Sequence, residues 1–397
     1  MLWINYALFR LVAFPLQFLP YPVLHFLGKQ VGRLLYYYPK YRKRSLSNLA
    51  LASSLNLKND EIILLAKQSL QNLAITALEY PRLYRDKAII NAFCDNSETV
   101  SHLIHQGKGV IFFCGHQANW EILFLEGTYR MPGVAIGRPI QNHLLYEWIL
   151  TLRQKFGGVI IPPKKAYKAS LQALKAGKFL GIVGDQSMPS SSFYSSFLGR
   201  RAYTSNLPAL LSERTGSPII VATIKREKYH YRIHYSDPIF PEGDPSLQMK
   251  AVLDLFEKSI LETPSEWLWI HNRWKQPRLE GLTPSCRSDS LVIIFKEEIS
   301  LQEYALHLRT LYPTEQLTIF VPAHLYFTHE SIEVIPYHHI RDILQKDYRF
   351  KLLIDFTNNP LIHRHYKRLS VQKVLQFKHP KEFFHYAFPS LFPSSAL

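Results

Sequence analysis

The sequence predicts an α/β protein in which a mixed sheet is flanked by helices, preceded by an apolar membrane helix and followed by a second, smaller α/β unit. Three observations carry this reading. Short apolar runs alternate with helix-length segments between about 109 and 183, a second set of runs begins after 287, and Leu2 to Leu27 is almost entirely apolar and aromatic. Strands alternating with helical crossovers make a largely parallel sheet. At 397 residues the chain exceeds what one core fills, so it is divided into an anchor over 1–30, a central domain over 31–280 and an additional unit over 287–397.

The anchor comes first. Its apolar run is interrupted by Asn5, Arg10, Gln17 and His25 and by Pro15, Pro20 and Pro22. Crossing a bilayer takes about 20 apolar residues, so the segment spans only if Arg10 snorkels and the prolines are tolerated. A shallow hairpin or an in-plane helix is the alternative. A basic n-region and a small-residue cleavage site are missing, so the segment is expected to be retained. Lys29, Arg33, Lys40, Arg42, Lys43 and Arg44 follow before the first acidic residue, Asp60. The positive-inside rule places this flank, and all that follows, on the cytoplasmic side.

Residues from about 60 to 92 carry apolar positions at steps of three and four, which predicts a helix. Buried strands are predicted at 109–113, 134–136, 159–161 and 179–183, with helices near 117–130, 141–156 and 166–176 between them. The runs 219–222 and 231–234, separated by the polar Arg226-Glu227-Lys228, form a hairpin, and a helix follows near 246–262. After a linker at 277–285, strands are predicted at 291–295, 317–321, 332–335 and 352–356. This unit has no Gly-rich phosphate loop or acidic metal motif and is expected to be non-catalytic.

A net charge of +16 favours an anionic partner: nucleic acid, a membrane surface, or a phosphorylated or acidic substrate. Cys94, Cys114 and Cys286 are isolated, so neither a disulfide framework nor a cysteine metal site is expected, and a reducing compartment follows. Cys114, behind Ile111, Phe112 and Phe113, reads as a buried strand cysteine rather than a nucleophile.

The chemistry concentrates in Gly115-His116-Gln117-Ala118-Asn119-Trp120-Glu121. His116 falls just past a strand and Glu121 in the first turn of the next helix, so the turn is expected to bring the two together where open α/β sheets bind ligands. An imidazole oriented by a carboxylate can take a proton from an alcohol, which suits O-acylation, or from water, which suits hydrolysis. A helix-capping His with a first-turn Glu is the structural alternative. Asp185 and Gln186 follow the strand 179–183 and Arg138 follows 134–136, so all three belong to the same rim, where Arg138 could hold a phosphate. By spacing, Arg153 is an exposed charge on the helix 141–156. The stretch Pro264 to Lys275, with three Trp beside His271, Arg273 and Lys275, suits a lipid headgroup interface, a nucleobase platform or a packed amphipathic helix.

In order along the chain, GHQANWE at 115–121, Arg138-Pro139, Arg153, Gly184-Asp185-Gln186, Phe197-Leu198-Gly199 through Ala202 and Thr204, TGSPIIVA at 215–222 and WLWIHNRWK at 267–275 resemble the late acyltransferases of bacterial lipid A biosynthesis, the lauroyl/myristoyl group. The resemblance covers roughly residues 1–280. It implies a glycerolipid-acyltransferase-like fold at the cytoplasmic face of the bacterial inner membrane. The implied reaction moves a fatty acyl chain from acyl carrier protein to a hydroxyl of a (Kdo)-lipid IVA-type precursor, with no metal or other cofactor and no nucleic-acid partner. His116 would be the base and Glu121 its partner. Arg153 matches an Arg near the family's active site, and Arg138, Asp185 and Gln186 match structural or substrate-binding positions.

Two other readings compete with this one. A glycerophospholipid acyltransferase shares the His-x4-acid spacing, but its EGTR-like element stands well after the His, whereas Glu126-Gly127-Thr128-Tyr129-Arg130 lies on the same predicted helix as Glu121. A non-catalytic membrane- or anion-binding protein would place its basic residues along a groove, with salt-sensitive binding and no dyad.

Overall fold

The computed structural model describes residues 2–86, 91–190, 193–277, 279–296 and 301–392. Two helices, α1 (Leu2–Leu16) and α2 (Tyr21–Tyr37), replace the expected spanning helix. Pro20 has no amide hydrogen to donate and stands at the break as the N-cap of α2. Among the described residues no helix is long and apolar enough to cross a membrane, so the membrane helix read from the sequence is corrected to a pair of short helices. Helix α1 leaves Trp3, Leu8 and Leu11 exposed, while Phe9 packs edge-on against Trp148 at 5.0 Å.

Next come α3 (Pro39–Leu51) and α4 (Asn59–Arg85), the latter on the predicted helix; residues 87–90 of that expected run lie outside the described residues. Gly28 lets α2 lie directly on α4, since a Cβ there would come within 2.6 Å of Ile75. Part of the basic flank also has a structural task. Arg42 and Lys43 on α3 donate to the Arg368 and Val371 carbonyls, at 3.2 and 2.7 Å.

The main body then runs β1 (Ala92–Cys94), α5 (Ser97–His105), β2 (Val110–Cys114), α6 (Glu121–Arg130), β3 (Gly133–Ile136), α7 (His143–Arg153), β4 (Val159–Ile161), α8 (Ala166–Lys175) and β5 (Phe179–Val183). It continues through β6 (Phe193–Phe197), β7 (Arg200–Thr204), α9 (Leu207–Thr215), β8 (Ile219–Glu227), β9 (His230–Tyr235) and α10 (Pro245–Glu262). Seven strands form one sheet in the order β1-β9-β8-β2-β5-β3-β4. Only the β8–β9 hairpin is antiparallel, so the sheet is mixed. Strand β2 lies at its centre with all five residues buried, which is why its sequence is an unbroken apolar run. In β9, Tyr231, Ile233 and Tyr235 turn inward and His230, Arg232 and His234 outward, the alternation of a half-covered strand.

Beyond 287 the chain forms β10 (Ser290–Ile294), α11 (Leu301–Leu311), β11 (Gln316–Pro322), β12 (Glu333–Tyr337), α12 (Ile340–Ile343), β13 (Leu352–Asp355), α13 (Pro360–Arg368), β14 (Lys373–Gln376) and α14 (Pro380–Ala387). These strands make a second, all-parallel sheet in the order β12-β11-β10-β13-β14. The order reverses between β10 and β13, as in doubly wound folds. Of the linker expected at 277–285, Arg278 lies outside the described residues. The two sheets are joined by more than the linker. Tyr348 and Leu369 pack into the core of the main body, and Ser47 Oγ donates to the Arg349 carbonyl at 2.9 Å. Buried Lys351 donates to Asn48 at 2.9 Å, Asn272 at 2.7 Å and Asp289 at 2.8 Å.

Candidate active site

Strands β2 and β5 pair in parallel with Cys114 opposite Val183, and the Gly184 amide donates to the Cys114 carbonyl at 2.8 Å. Two residues further on each strand, at the carboxyl rim of the sheet, stand His116 and Asp185. Their contact is bidentate: the His116 amide donates to Asp185 Oδ2 at 2.8 Å, and the imidazole Nδ1 lies 2.8 Å from Oδ1. Trp267 Nε1 also donates to Oδ2, at 2.8 Å. Burial alone would push the Asp185 carboxyl up, but the His116 ring and amide outweigh it and hold the carboxyl below the usual carboxylate range.

With Nδ1 engaged, Nε2 is the nitrogen left for a reactant. The ring packs edge-on against Trp120 at 4.8 Å and against the His271 ring at 4.5 Å. Burial first, then the neighbouring His116, lowers the His271 imidazole to about 4. Gln186 is exposed, with Nε2 3.5 Å from His271 Nε2.

The pairing expected across the strand-to-helix junction takes a different form. The carboxylate on the imidazole is Asp185, and Glu121 is gripped by Arg153, whose Nε and Nη2 donate at 2.8 and 2.6 Å. Trp120 Nε1 donates to the same Glu121 carboxylate at 3.1 Å. The physical reason is strand adjacency: β5 lies beside β2, so its first rim residue meets the ring edge, while Glu121 starts α6 and turns toward the end of α7. Burial raises the Glu121 carboxyl, yet Arg153 and, more weakly, Tyr80 and the charge on His116 bring it below its ordinary value. Arg153 is therefore half of a mostly buried ion pair, and not the exposed charge that spacing suggested. Arg138 is exposed just past the end of β3.

The loop carrying His116 is held on several sides. Ala118 adopts a left-handed φ of 44° and is fully buried; its carbonyl accepts from Thr76 Oγ1 at 2.9 Å and its amide donates to the Glu266 carbonyl at 2.9 Å. Asn119 Nδ2 donates to buried Glu79 at 2.6 Å. Gly115 admits no side chain, because a Cβ would collide with the Phe256 ring and come within 2.9 Å of Asp185 Oδ2.

The tryptophan-rich stretch is not a lipid-facing surface, and after a single 3-10 turn at Pro264–Glu266 it is not helical. Trp267, Trp269, Trp274 and Arg273 are all buried, and an isolated bridge ties Trp267 to Gln117. Its role is to support the site from below. Cys114 is buried on β2 and burial raises its thiol, which agrees with a packing cysteine. Glu126 and Arg130 of the EGTR-like element are paired with each other on α6.

A profile of the family described as bacterial lipid A biosynthesis acyltransferase matches residues 1–276. The chain is 25% identical over 268 residues to the lipid A biosynthesis palmitoleoyltransferase of Escherichia coli (strain K12), covering 65% of this chain and 86% of that protein. It is 24% identical over 280 residues to the lipid A biosynthesis lauroyltransferase of the same organism, covering 66% and 89%. A lipid A biosynthesis acyltransferase of Shigella flexneri matches at 25% identity over 268 residues, or 65% and 86%. A rim histidine held by a buried carboxylate, on a sheet whose sequence matches that profile almost to the end of the main body, leads to one assignment: the chain belongs to the bacterial lipid A biosynthesis acyltransferase family.

Proposed function

We propose that this protein transfers a fatty acyl chain from an acyl-carrier-protein thioester to a hydroxyl of a (Kdo)-lipid IVA-type precursor, with His116 as general base. The observation that carries this reading is the Asp185 grip on Nδ1 of His116, which leaves Nε2 at the rim of the sheet. In the proposed reaction Nε2 takes the proton of the acceptor hydroxyl while its oxygen attacks the thioester carbonyl. The C–O bond forms, the tetrahedral intermediate collapses, the C–S bond breaks, and the imidazolium returns its proton to the departing thiolate. Asp185 fixes the tautomer and stabilises the imidazolium.

Glu121, kept ionised by Arg153 and close enough to respond to the charge on His116, adds negative potential on the same side. Arg138 and Gln186 are proposed to contact the substrate from the rim, and Arg153 to serve by positioning Glu121. The site is proposed to work at the cytoplasmic face of the inner membrane, with the exposed apolar side chains of α1 and α2 lying in the interfacial plane; Trp3, Leu11, Phe26 and Leu34 are each at least 60% exposed.

Mass spectrometry of lipid A species tests the reading, after incubation with acyl-carrier-protein thioesters of varied chain length and a tetraacyl precursor. The expected product is a precursor carrying one further acyl chain, absent with His116→Ala. An unmodified precursor with every donor, or full activity in that variant, overturns it.

A further inference from the structure

The family match ends at residue 276, yet residues beyond it reach the edge of the active site. A cavity of about 330 Å³ is walled on one side by Arg44 and Asn272 of the main body and on the other by Arg287, Asp289, Lys351 and Lys373 of the second unit. That volume is at the lower end of small-molecule sites, which run from about 300 to 1,000 Å³. Asn272 adjoins His271, whose ring lies tilted against that of His116 with centroids 4.5 Å apart, and the charge on Arg44 is felt at the His271 imidazole. The cavity thus shares a wall residue, Asn272, that is next in sequence to the neighbour of His116.

Its electrostatics are one-sided. Lys351 and Asp289 pair with each other at 2.8 Å and cancel. Arg44, Arg287 and Lys373 remain, and among the described residues none of the three is ion-paired with a carboxylate. Four cations, Arg44, Arg287, Lys351 and Lys373, line the cavity against one carboxylate, Asp289, so the wall carries more positive charge than its own acid neutralises. Three cations around one small cavity match a dianion better than a single carboxylate.

We infer that this cavity binds a phosphate monoester, and that the second unit thereby supplies part of the substrate-binding surface of the acyltransferase. In the proposed reaction that phosphate would be borne on the saccharide acceptor whose hydroxyl is acylated. Binding itself stands on the cavity alone; only the kinetic consequence rests on the proposed acyl transfer.

The test uses the full chain and the double variant Arg287→Gln, Lys373→Gln, whose side chains are exposed and outside the catalytic constellation. Calorimetric titration with glucosamine 1-phosphate is expected to show saturable binding that the double variant weakens about tenfold or more, one lost charge-assisted contact being worth that much. Vesicles containing phosphatidic acid form a second arm. Binding there but not to the soluble sugar phosphate, again lost in the variant, supports the site and assigns the phosphate to a lipid headgroup. In acyl-transfer assays the variant is expected to raise KM for a phosphorylated acceptor about tenfold with kcat within about twofold, and to leave KM for the dephosphorylated acceptor unchanged. If neither ligand binds, or binding is indifferent to the substitutions, the inference falls. Substitution-sensitive binding by a protein that transfers no acyl chain would uphold the cavity and overturn only the proposed function.

Discussion

His116 and Asp185 stand two residues beyond paired positions of neighbouring parallel strands and are joined twice, through the imidazole and through the backbone amide. Asp185 thus fixes both where the histidine is and which nitrogen carries its proton.

Asp185→Asn should keep the fold and lose most of the turnover. An amide can still accept from the His116 amide but cannot stabilise an imidazolium, and the comparable change in a serine protease costs about 10⁴ in kcat. A fall in kcat of about 10²–10⁴ with little change in KM is expected from steady-state acyl transfer. Wild-type turnover in this variant would remove Asp185 from the mechanism.

Glu121→Gln acts on stability as well as rate. It leaves the Arg153 guanidinium half-paired in a mostly buried site, which costs about 3 kcal/mol. Denaturant unfolding should show this loss, and adding Arg153→Met should recover part of it, since an apolar side chain does not need the missing charge. Equal stability of the two variants would mean that the pair is solvent-screened.

His271 gives the molecule a pH dependence of definite sign. Its folded value is lowered to about 4 from an ordinary 6.5, so between these values the unfolded chain binds a proton that the folded one refuses. Stability is therefore complete above about 6.5, declines as pH falls toward about 4, and is not lowered further by this group below that. The full shift corresponds to about 3 kcal/mol, reduced by solvent screening in the partly open cleft. Unfolding curves from pH 7 to 4 should flatten in His271→Gln; an unchanged slope would exclude this histidine as its source.

Gly115→Ala tests the close approach of β2 to Asp185. The new methyl would press on Phe256 and the Asp185 carboxylate, and overpacking of this kind costs about 1–3 kcal/mol. Phe256→Leu in the same chain should restore stability but not full activity, because the contact with Asp185 remains. Full recovery of both would show that only the Phe256 contact mattered.

The short amino-terminal helices should carry surface binding. Replacing Trp3, Leu8 and Leu11 with Ser removes three exposed apolar side chains, each worth about 1.5–3 kcal/mol when fully buried. Co-sedimentation with anionic vesicles should fall by about tenfold or more, while unfolding midpoints stay close to wild type. Undiminished sedimentation would place the membrane contact elsewhere.

Much of the fold was legible from period and length. The runs at 110–114, 159–161 and 179–183, the 219–235 hairpin and the 245–262 helix fall within a residue or a few of their predicted positions, because uninterrupted apolar runs and alternation follow directly from burial. Strands β1, β6, β7 and β14 were not anticipated, being short or polar. At the site, the rim positions of His116, Asp185 and Arg138 could be inferred from strand ends. Which carboxylate meets the imidazole could not, because that depends on β5 lying next to β2, a long-range pairing that no local pattern encodes. The available signal was the glycine before each residue, Gly115 and Gly184, each marking a strand end packed so closely on side chains, Phe256 and Asp185 for the first and Phe113 for the second, that no Cβ fits. Three tryptophans beside basic residues misled in the other direction, since composition alone does not separate a membrane belt from a buried brace.

Lys351 has a consequence for how the protein is made. Its amine holds Asn48, which in turn donates to the Trp269 carbonyl at 2.7 Å and to that of His271, and it also holds Asn272. A ribosome releases the catalytic residues long before it releases residue 351, so until then the side-chain oxygens of Asn48 and Asn272 lack the amine that donates to them. The site's support is completed from the far end of the chain: the amine that ties Asn48 and Asn272 to Asp289 arrives only when the second sheet has emerged and docked.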